Sequence, residues 1–221
     1  MDSFGLATLF MILGVRPGSE DEVAAWHSEE HLAERLGIPG FRRGRRGIAL
    51  DVPPEQRYLA AYEAEDAEVF GDEAYLARLN DPTAWTRRAM SDHVIGLTRT
   101  VCRVCAGRGT GLGGWNGVVI LDALHEQSGV AEIENALRCR GIVGAYLLEA
   151  TAIGQAPSSE RAEREAKGAA DQVFPGALLL EGTDEAPVRA ATDAAAARLA
   201  TRTAGVYRIQ HVLTSAGAAG R

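Results

Sequence analysis

The chain has 221 residues, of which 46% are hydrophobic, and its formal net charge is −7. This length suits one larger domain or two domains of about 100 residues each. The acidic balance argues against a nucleic-acid partner, since phosphate binding needs a dense basic surface, and no apolar run approaches the roughly 18 residues that a membrane helix requires.

The first half of the chain predicts a strand, a helix, two strands, a helical stretch and a final strand. The apolar run Leu6–Val15 predicts a strand buried on both faces. Ser19, with Glu22 three residues later, forms a capping box for a helix that ends at Gly37. The remaining predicted elements are strands at Phe41–Leu50, Tyr58–Glu63 and His93–Val104 and short helices at Asp72–Leu79 and Pro82–Met90, the latter with Asp81 as its cap.

A glycine-rich segment, 106–116, predicts a linker, and the same order of elements follows it. We therefore expect a first repeat over 1–105 and a second over 117–221. A long insertion, Ala152–Val173, interrupts the second repeat and is expected to be a functional segment, a solvated surface helix or a disordered loop. The elements of the second repeat are strands at Val118–Leu121, Ile142–Thr151, Ala177–Glu181 and Val206–Leu213 and helices at Val130–Cys139 and Glu185–Thr201.

This order, strand-helix-strand-strand-helix-strand, is the split βαβ or ferredoxin-like pattern. One such sheet carries helices on one face only, so its other face must be buried, usually against a second sheet. Two tandem copies can meet this need within one chain. The predicted fold class is therefore α+β, with duplicated ferredoxin-like units that form a pseudo-twofold α+β barrel.

Three motifs of the first repeat stand out together. They are Trp26-His27-x-x-Glu30-His31-x-x-x-Arg35-Leu36-x-x-Pro39-Gly40-Phe41, Tyr58-Leu59-Ala60-x-Tyr62-Glu63 and Pro82-Thr83-x-Trp85-x-x-Arg88. This set resembles the dimeric α+β barrel superfamily, and most closely its EthD-like and related uncharacterised members. The resemblance implies the barrel fold. It leaves the reaction open, because the superfamily includes cofactor-free monooxygenases, polyketide cyclases, muconolactone isomerases and haem-using enzymes.

His27 and His31 are four residues apart and share one face of the predicted helix. An imidazole is the natural acid or base near neutral pH, and we favour His31 for that role. The spacing also suits a metal, but a metal site needs a third ligand that the sequence does not show. The alternative is one surface histidine and one packed against the sheet. The corresponding helix of the second repeat has no histidine, so we expect one working site.

The second predicted strand holds four arginines, and alternation sends Arg43 and Arg45 to one face and Arg42 and Arg46 to the other. An inward arginine would bind an anionic substrate; the alternative is ion pairing with the acidic helices. We select Arg43 as a catalytic candidate and Arg45 as a substrate-binding candidate. Tyr62 could donate a hydrogen bond to a substrate oxygen if its face lines the barrel, or it could be core.

Other aromatic residues are candidates for the walls of a substrate pocket. Trp85 and Trp115 could contact an aromatic substrate or simply belong to the core. Tyr146 is one of several polar residues on or beside the strands of the second repeat, where such residues often mark the wet interior of a barrel. The others are Asp122, His125, Glu126, Glu149, Glu181 and His211.

Two further motifs predict structure rather than chemistry. Cys102 and Cys105 have CxxC spacing but lie on a predicted strand, which favours structural cysteines over a redox or zinc site. The segment 109–114 matches GxGxxG, but a dinucleotide fingerprint requires a helix after it, and a strand follows here.

The leading functional hypothesis is a cofactor-independent small-molecule enzyme. It would move a proton on an aromatic or enolisable carbonyl-type substrate, as a lyase, isomerase or cyclase. The alternatives are a cofactor-free or haem-using monooxygenase and a ligand-binding module without chemistry. We expect no metal, a small-molecule partner, and a monomer with an internal pseudo-dimer or a homodimer. Three cysteines and no basic region at the N-terminus favour a cytoplasmic location.

Overall fold

The computed structural model describes residues 5–153 and 172–215, and these ranges form an α+β fold with a closed barrel. Its strands are β1 (Ala7–Val15), β2 (Phe41–Ile48), β3 (Tyr58–Ala64), β4 (Val94–Gly109), β5 (Trp115–Leu121), β6 (Ile142–Ala150), β7 (Gly176–Gly182) and β8 (Thr201–Thr214). Its helices are α1 (Glu20–Trp26), α2 (Leu32–Leu36), α3 (Glu73–Asn80), α4 (Ala84–Arg88), α5 (Glu126–Leu137) and α6 (Glu185–Ala196). Shorter turns are π-helical at His27–His31 and Ala89–His93 and 3-10 at Pro54–Gln56 and Glu68–Gly71.

The strands follow the order β1-β3-β2-β8-β5-β7-β6-β4 around the barrel, and every neighbouring pair is antiparallel. Each half of the chain contributes four adjacent strands, and the halves join along β2·β8 and β4·β6. Closure leaves no free sheet edge among these strands. The predicted α+β barrel is confirmed; its origin by tandem duplication stays a prediction.

The two halves also correspond in register. Thr8 pairs with Glu63 across β1·β3, and Asn116 pairs with Glu181 across β5·β7. Glu63 and Glu181 therefore occupy equivalent positions, and both are buried. The same correspondence relates Tyr62, on the other face of β3, to Leu180.

The apolar core has three layers. The barrel interior, which we call the lumen, is filled from both halves; its buried residues include Phe10, Ile12, Leu59, Val118, Ile120, Tyr146, Leu148, Phe174, Leu179 and Tyr207. One layer outside the sheet packs α2 and α3 against the first half, and another packs α5 and α6 against the second. Both faces of most strands are thus buried, which explains their nearly continuous apolar runs.

Some element boundaries differ from the predictions. The segment 106–116 is not wholly a linker, because β4 continues to Gly109 and β5 begins at Trp115. Gly107 lies near the end of β4, against the ring of Tyr146. A Cβ at this position would lie 2.4 Å from that ring, so only glycine leaves room for it. Helix α4 begins after Thr83, not Asp81, since the Thr83 hydroxyl accepts a 3.0 Å hydrogen bond from the amide of Thr86. Most of the predicted insertion lies outside the described residues, and the assignment of repeats to 1–105 and 117–221 stays a prediction.

Candidate functional site

The two histidines lie in a π-helical turn, His27–His31, between α1 and α2. The hydrogen-bonded turn of a π-helix is wider than that of an α-helix, and such turns are frequent at functional sites. Here both imidazoles are buried against the outer face of the sheet. The indole of Trp26 anchors the turn by donating a 3.1 Å hydrogen bond to the hydroxyl of Thr86.

The imidazole of His27 is held by the sheet. Its Nε2 lies 2.9 Å from the hydroxyl of Tyr62 on β3, while its buried Nδ1 has no hydrogen-bond partner. His31 stacks on Trp26, with ring centroids 4.4 Å apart. Its Nδ1 lies 3.9 Å from a carboxylate oxygen of Glu34, and it makes no hydrogen bond to any described residue. The structure thus gives one histidine a fixed partner and leaves the other available.

Both histidines are neutral at physiological pH. Burial, with a smaller contribution from the nearby charge of Arg46, lowers the pKa of His27 to about 3. Burial also lowers the pKa of His31 well below its usual range, and the charge of Arg35 acts in the same direction. In the free protein each ring is therefore a hydrogen-bonding group and a weak base rather than a general acid.

A cavity of about 60 Å³, which we call the histidine pocket, lies between this helix and the outer face of the sheet. Apolar side chains form most of its wall. They are Leu9, Met11, Leu13, Val23, Trp26, Leu59, Ala60, Leu79, Met90, Val94 and Leu97. Its polar lining is His27, His31, Arg35, Arg46, Tyr58, Tyr62, Tyr75 and Arg99. Among the described lining residues there is no carboxylate, so the pocket carries net positive charge.

The arginines are fixed by different elements. Arg46 on β2 donates a 2.9 Å hydrogen bond from Nη1 to the carbonyl of Ala24 and a 3.3 Å bond from Nε to Gln210. Arg99 on β4 donates to the hydroxyl of Tyr75 at 2.9 Å. Burial lowers the pKa of Arg46, but a guanidinium remains charged at neutral pH. The pocket therefore favours a ligand that is negative or becomes negative.

The residues of the histidine pocket do not fit a haem, which the superfamily resemblance allows. The cavity volume corresponds to roughly four to six water molecules. Trp26 covers one side of the His31 ring, and Tyr62 occupies Nε2 of His27. A macrocycle would have to displace these side chains. No three histidine, cysteine, aspartate or glutamate side chains of the described residues converge to hold a metal.

The structure brings together only some of the predicted site residues. His27, His31 and Tyr62 all line the histidine pocket. Tyr62 does so from the helix side of the sheet and not, as one prediction supposed, from the barrel interior. Trp85 lies on α4 outside the lining, where its indole donates a 2.9 Å hydrogen bond to Glu22. Trp115 lies at the start of β5 in a different cavity.

Arg43 and Arg45 share one face, as alternation predicted, but that face is the lumen. Arg43 makes 2.7 Å contacts to both carboxylate oxygens of Glu63, and Arg45 donates to the same group at 2.7 Å. Arg45 also bonds Glu181 and, at 3.2 Å, Asn116. The two guanidinium groups therefore pair with glutamates of the barrel strands.

Tyr146 is also in the lumen, in the apolar cluster and away from the histidine pocket. Of the other polar residues expected to mark a wet interior, Glu181 is buried there. Asp122, His125, Glu126 and Glu149 are exposed instead.

Sequence reasoning missed Arg35, Arg46, Tyr75 and Arg99 as pocket residues. Strand alternation carried a signal for Arg46, because β2 pairs Arg46 with Ala60, on the same face as Tyr62. Arg35 lies four residues after His31, which is also a detectable spacing. Tyr75 and Arg99 come from α3 and β4, and only the tertiary structure brings them to the pocket.

In the corresponding region of the second half, aliphatic side chains lie between the helices and the sheet. Leu180 occupies the position that corresponds to Tyr62, and the facing helices supply Ile133, Ala136, Val188 and Ala191. These aliphatic side chains pack directly against the sheet. An aliphatic side chain thus stands where the first half has Tyr62, and the expectation of one working site stays a prediction.

The two remaining motifs do not form a site in the described residues. Cys102 is buried and burial raises its pKa; burial raises that of Cys105 to about 11. Neither thiol is thus prone to ionise. The segment 109–114 connects β4 to β5, with no helix after it. No described helix is long and apolar enough to cross a membrane.

Comparison with known proteins identifies related folds but no family. No protein-family model and no curated protein matches the chain. Among solved structures, an anthrone oxidase-like protein has a TM-score of 0.61 at 8% identity, over 95% of this chain and 92% of that one. A proposed monooxygenase from Fusobacterium nucleatum has a TM-score of 0.55 at 10% identity, over 96% and 95%. A proposed chlorite dismutase has a TM-score of 0.52 at 11% identity, over 97% of both chains. The chain therefore has the α+β barrel fold of these proteins.

Proposed function

We propose that the protein is a small-molecule enzyme that removes a proton from a flat, weakly acidic organic compound in the histidine pocket. The observation that carries this proposal is the composition of the lining: two neutral histidines, three tyrosines and three arginines, without a carboxylate. Such a pocket disfavours a cation and stabilises an anion as it forms. An enolisable ketone or a phenol is neutral when it enters and negative after proton transfer.

In this proposal His31 takes the proton and Arg46 stabilises the resulting oxyanion. His31 is a weak base in the empty pocket, because burial lowers its pKa. An anion formed beside the imidazolium would raise that pKa again, so the proton moves only while the substrate anion stays in place. Return of the proton to a different atom completes an isomerisation and restores the neutral imidazole.

Tyr62 would bond the substrate oxygen, and His27 would orient it. The 2.9 Å contact between the Tyr62 hydroxyl and Nε2 of His27 fixes the position of the phenol. This arrangement modifies the roles expected from sequence, since Arg46 replaces Arg43 as the anion-binding group.

Hydrogen exchange on 2-indanone, a small flat ketone with acidic C–H bonds, tests the proposal. In D₂O the protein should accelerate deuterium incorporation, which NMR measures, and His31→Gln should slow the enzymatic rate about 10²- to 10⁴-fold with the fold intact. Arg46→Gln should also slow it, whereas Arg42→Gln should not, because Arg42 is exposed on the same strand. No acceleration by the wild-type protein, or equal rates for wild type and His31→Gln, would contradict the assignment.

Binding of 4-nitrophenol separates an enzyme from a ligand-binding module. The pocket should bind the phenolate in preference to the phenol, and visible absorbance reports the bound form. Loss of that preference in Arg46→Gln would place the anion beside Arg46. Phenolate binding without any hydrogen exchange would favour the non-catalytic alternative.

An oxygenase is the second candidate. The apolar wall of the pocket would keep water from a deprotonated substrate, which could then give its electrons to O₂. Proteins of the same fold include an anthrone oxidase-like protein and a proposed monooxygenase. Oxygen uptake that requires both the protein and 2-indanone would support this candidate. If the protein accelerates hydrogen exchange under argon and takes up no oxygen in air, the proton-transfer enzyme is favoured.

A further inference from the structure

A second cavity, which we call the seam cavity, lies outside the barrel where β2, β8 and β5 adjoin. Its floor is a row of directly paired residues, Ile48 on β2, Arg208 on β8 and Trp115 on β5. The first turns of α6 and the loop after β2 form its walls. Its volume is about 290 Å³, several times that of the histidine pocket.

The charges around the seam cavity are unevenly paired. Arg189 on α6 donates to Asp51 at 2.5 Å and to Glu185 at 2.8 Å, so one arginine bridges the two carboxylates of the rim. Together with Arg208, the four charged residues of the lining sum to zero. Arg208 is exposed and makes no hydrogen bond or ion pair with any described residue. The floor of the cavity thus presents a guanidinium with its donors open to a ligand.

The corresponding position across the other seam is different. Strand β8 of the second half corresponds to β4 of the first. Arg208 pairs with Trp115 at the start of β5, and Arg103 pairs with Ala7 at the start of β1, so the two arginines occupy equivalent positions. Arg103 lies 2.7 Å from the carboxylate of Glu68, so a protein group already satisfies it. The guanidinium of Arg208 is therefore open to a ligand, whereas that of its structural counterpart is already paired.

The apolar parts of the cavity lie beside this charge. Trp115 is half-buried and directly opposite Arg208, at a spacing of about 5 Å between Cβ atoms in such pairs. Leu50 is 80% exposed at the rim. A ligand that covers both side chains would remove apolar surface from water, which favours binding.

We propose that the seam cavity binds a small organic acid. Its carboxylate would pair with Arg208 in the planar, bidentate geometry that guanidinium groups favour. Its aromatic or branched apolar body would lie between Trp115 and Leu50. This site is separate from the histidine pocket and does not depend on the function proposed for it.

The distribution of tryptophans makes the proposal testable, because Trp26 lines the histidine pocket and Trp115 lines the seam cavity. The protein labelled with 5-fluorotryptophan gives a ¹⁹F signal for each of its 3 tryptophans, assigned with single Trp→Phe variants. Titration with naphthalene-1-acetate should shift the Trp115 signal saturably and leave that of Trp26 in place, because this probe is too large for the smaller histidine pocket. The neutral naphthalene-1-acetamide should bind at least about tenfold more weakly, since it lacks the charge-assisted bond.

Two arginine variants test the role of the charge. Arg208→Gln should weaken binding of naphthalene-1-acetate about tenfold, and the matched control Arg103→Gln should leave it unchanged. The proposal is overturned if the Trp115 signal does not move at millimolar probe, if Arg208→Gln binds as well as wild type, or if the Trp26 signal moves instead. A Trp115 signal that depends on protein concentration without the probe would assign the cavity to contacts between copies and also overturn it.

Discussion

Neutral buried histidines predict a specific loss of stability in acid, and His27 allows its size to be worked out. The unfolded chain binds a proton on His27 below the ordinary pKa of 6.5, whereas the folded chain does so only near pH 3. The unfolded state therefore holds more protons between these values, and the stability conferred by the neutral ring is lost as the pH falls. The pKa of His27 falls from 6.5 in the unfolded chain to about 3 in the folded one. Since each pKa unit is worth about 1.4 kcal/mol, complete protonation would remove about 5 kcal/mol from the free energy of unfolding.

Between pH 7 and pH 5 the expected loss from His27 is about 2 kcal/mol. Urea unfolding followed by circular dichroism at both pH values measures the free energy of unfolding of wild type and His27→Gln. The wild type should lose about 2 kcal/mol more than the variant, because glutamine does not titrate. The same substitution at His125, which is exposed, should leave the wild-type dependence unchanged. An equal loss in wild type and His27→Gln would show that His27 is not held neutral by burial, and the reasoning would fail.

Two further substitutions test the barrel. Arg45→Met should destabilise the fold by about 3–5 kcal/mol, because it leaves Glu181 buried without its cation, and adding Glu181→Gln should recover part of that loss in urea unfolding. Gly117→Ala should lower the free energy of unfolding by about 1–3 kcal/mol, since the new Cβ would lie 2.0 Å from the hydroxyl oxygen of Thr192. Gly114→Ala, where a Cβ meets no atom within 4 Å, is the matched control, and an equal loss there would refute the packing argument.

The sequence predicted the faces of the strands better than it predicted what covers them. Alternation correctly separated Arg43 and Arg45 from Arg46, and Tyr62 from Glu63. It could not tell which face meets the helices, because both faces of these strands are buried and a period of two is the same on each. For that reason Arg43 was assigned to the site that Arg46 in fact lines.

The histidine pocket was partly predictable for a related reason. His27 and His31 lie on one helix, and Tyr62 lies on a strand whose face was open to two interpretations, so local patterns were sufficient to nominate them. Tyr75 on α3 and Arg99 on β4 meet only because α3 packs over β1, β3 and β4. Local periodicity contains no information on such a meeting.

The ionic group in the lumen has a consequence for the symmetry of the barrel. Arg43, Arg45, Glu63 and Glu181 sum to zero charge, although the two glutamates occupy equivalent positions. Arg45 pairs with Ala61 on β3, and Tyr146 pairs with Leu179 at the equivalent place on β7. Tyr146 therefore holds the position in the second half that Arg45 holds in the first. Two identical chains would place four arginines opposite two glutamates in a dry interior. A neutral lumen of this kind therefore requires two halves with different sequences, and a single continuous chain allows that difference.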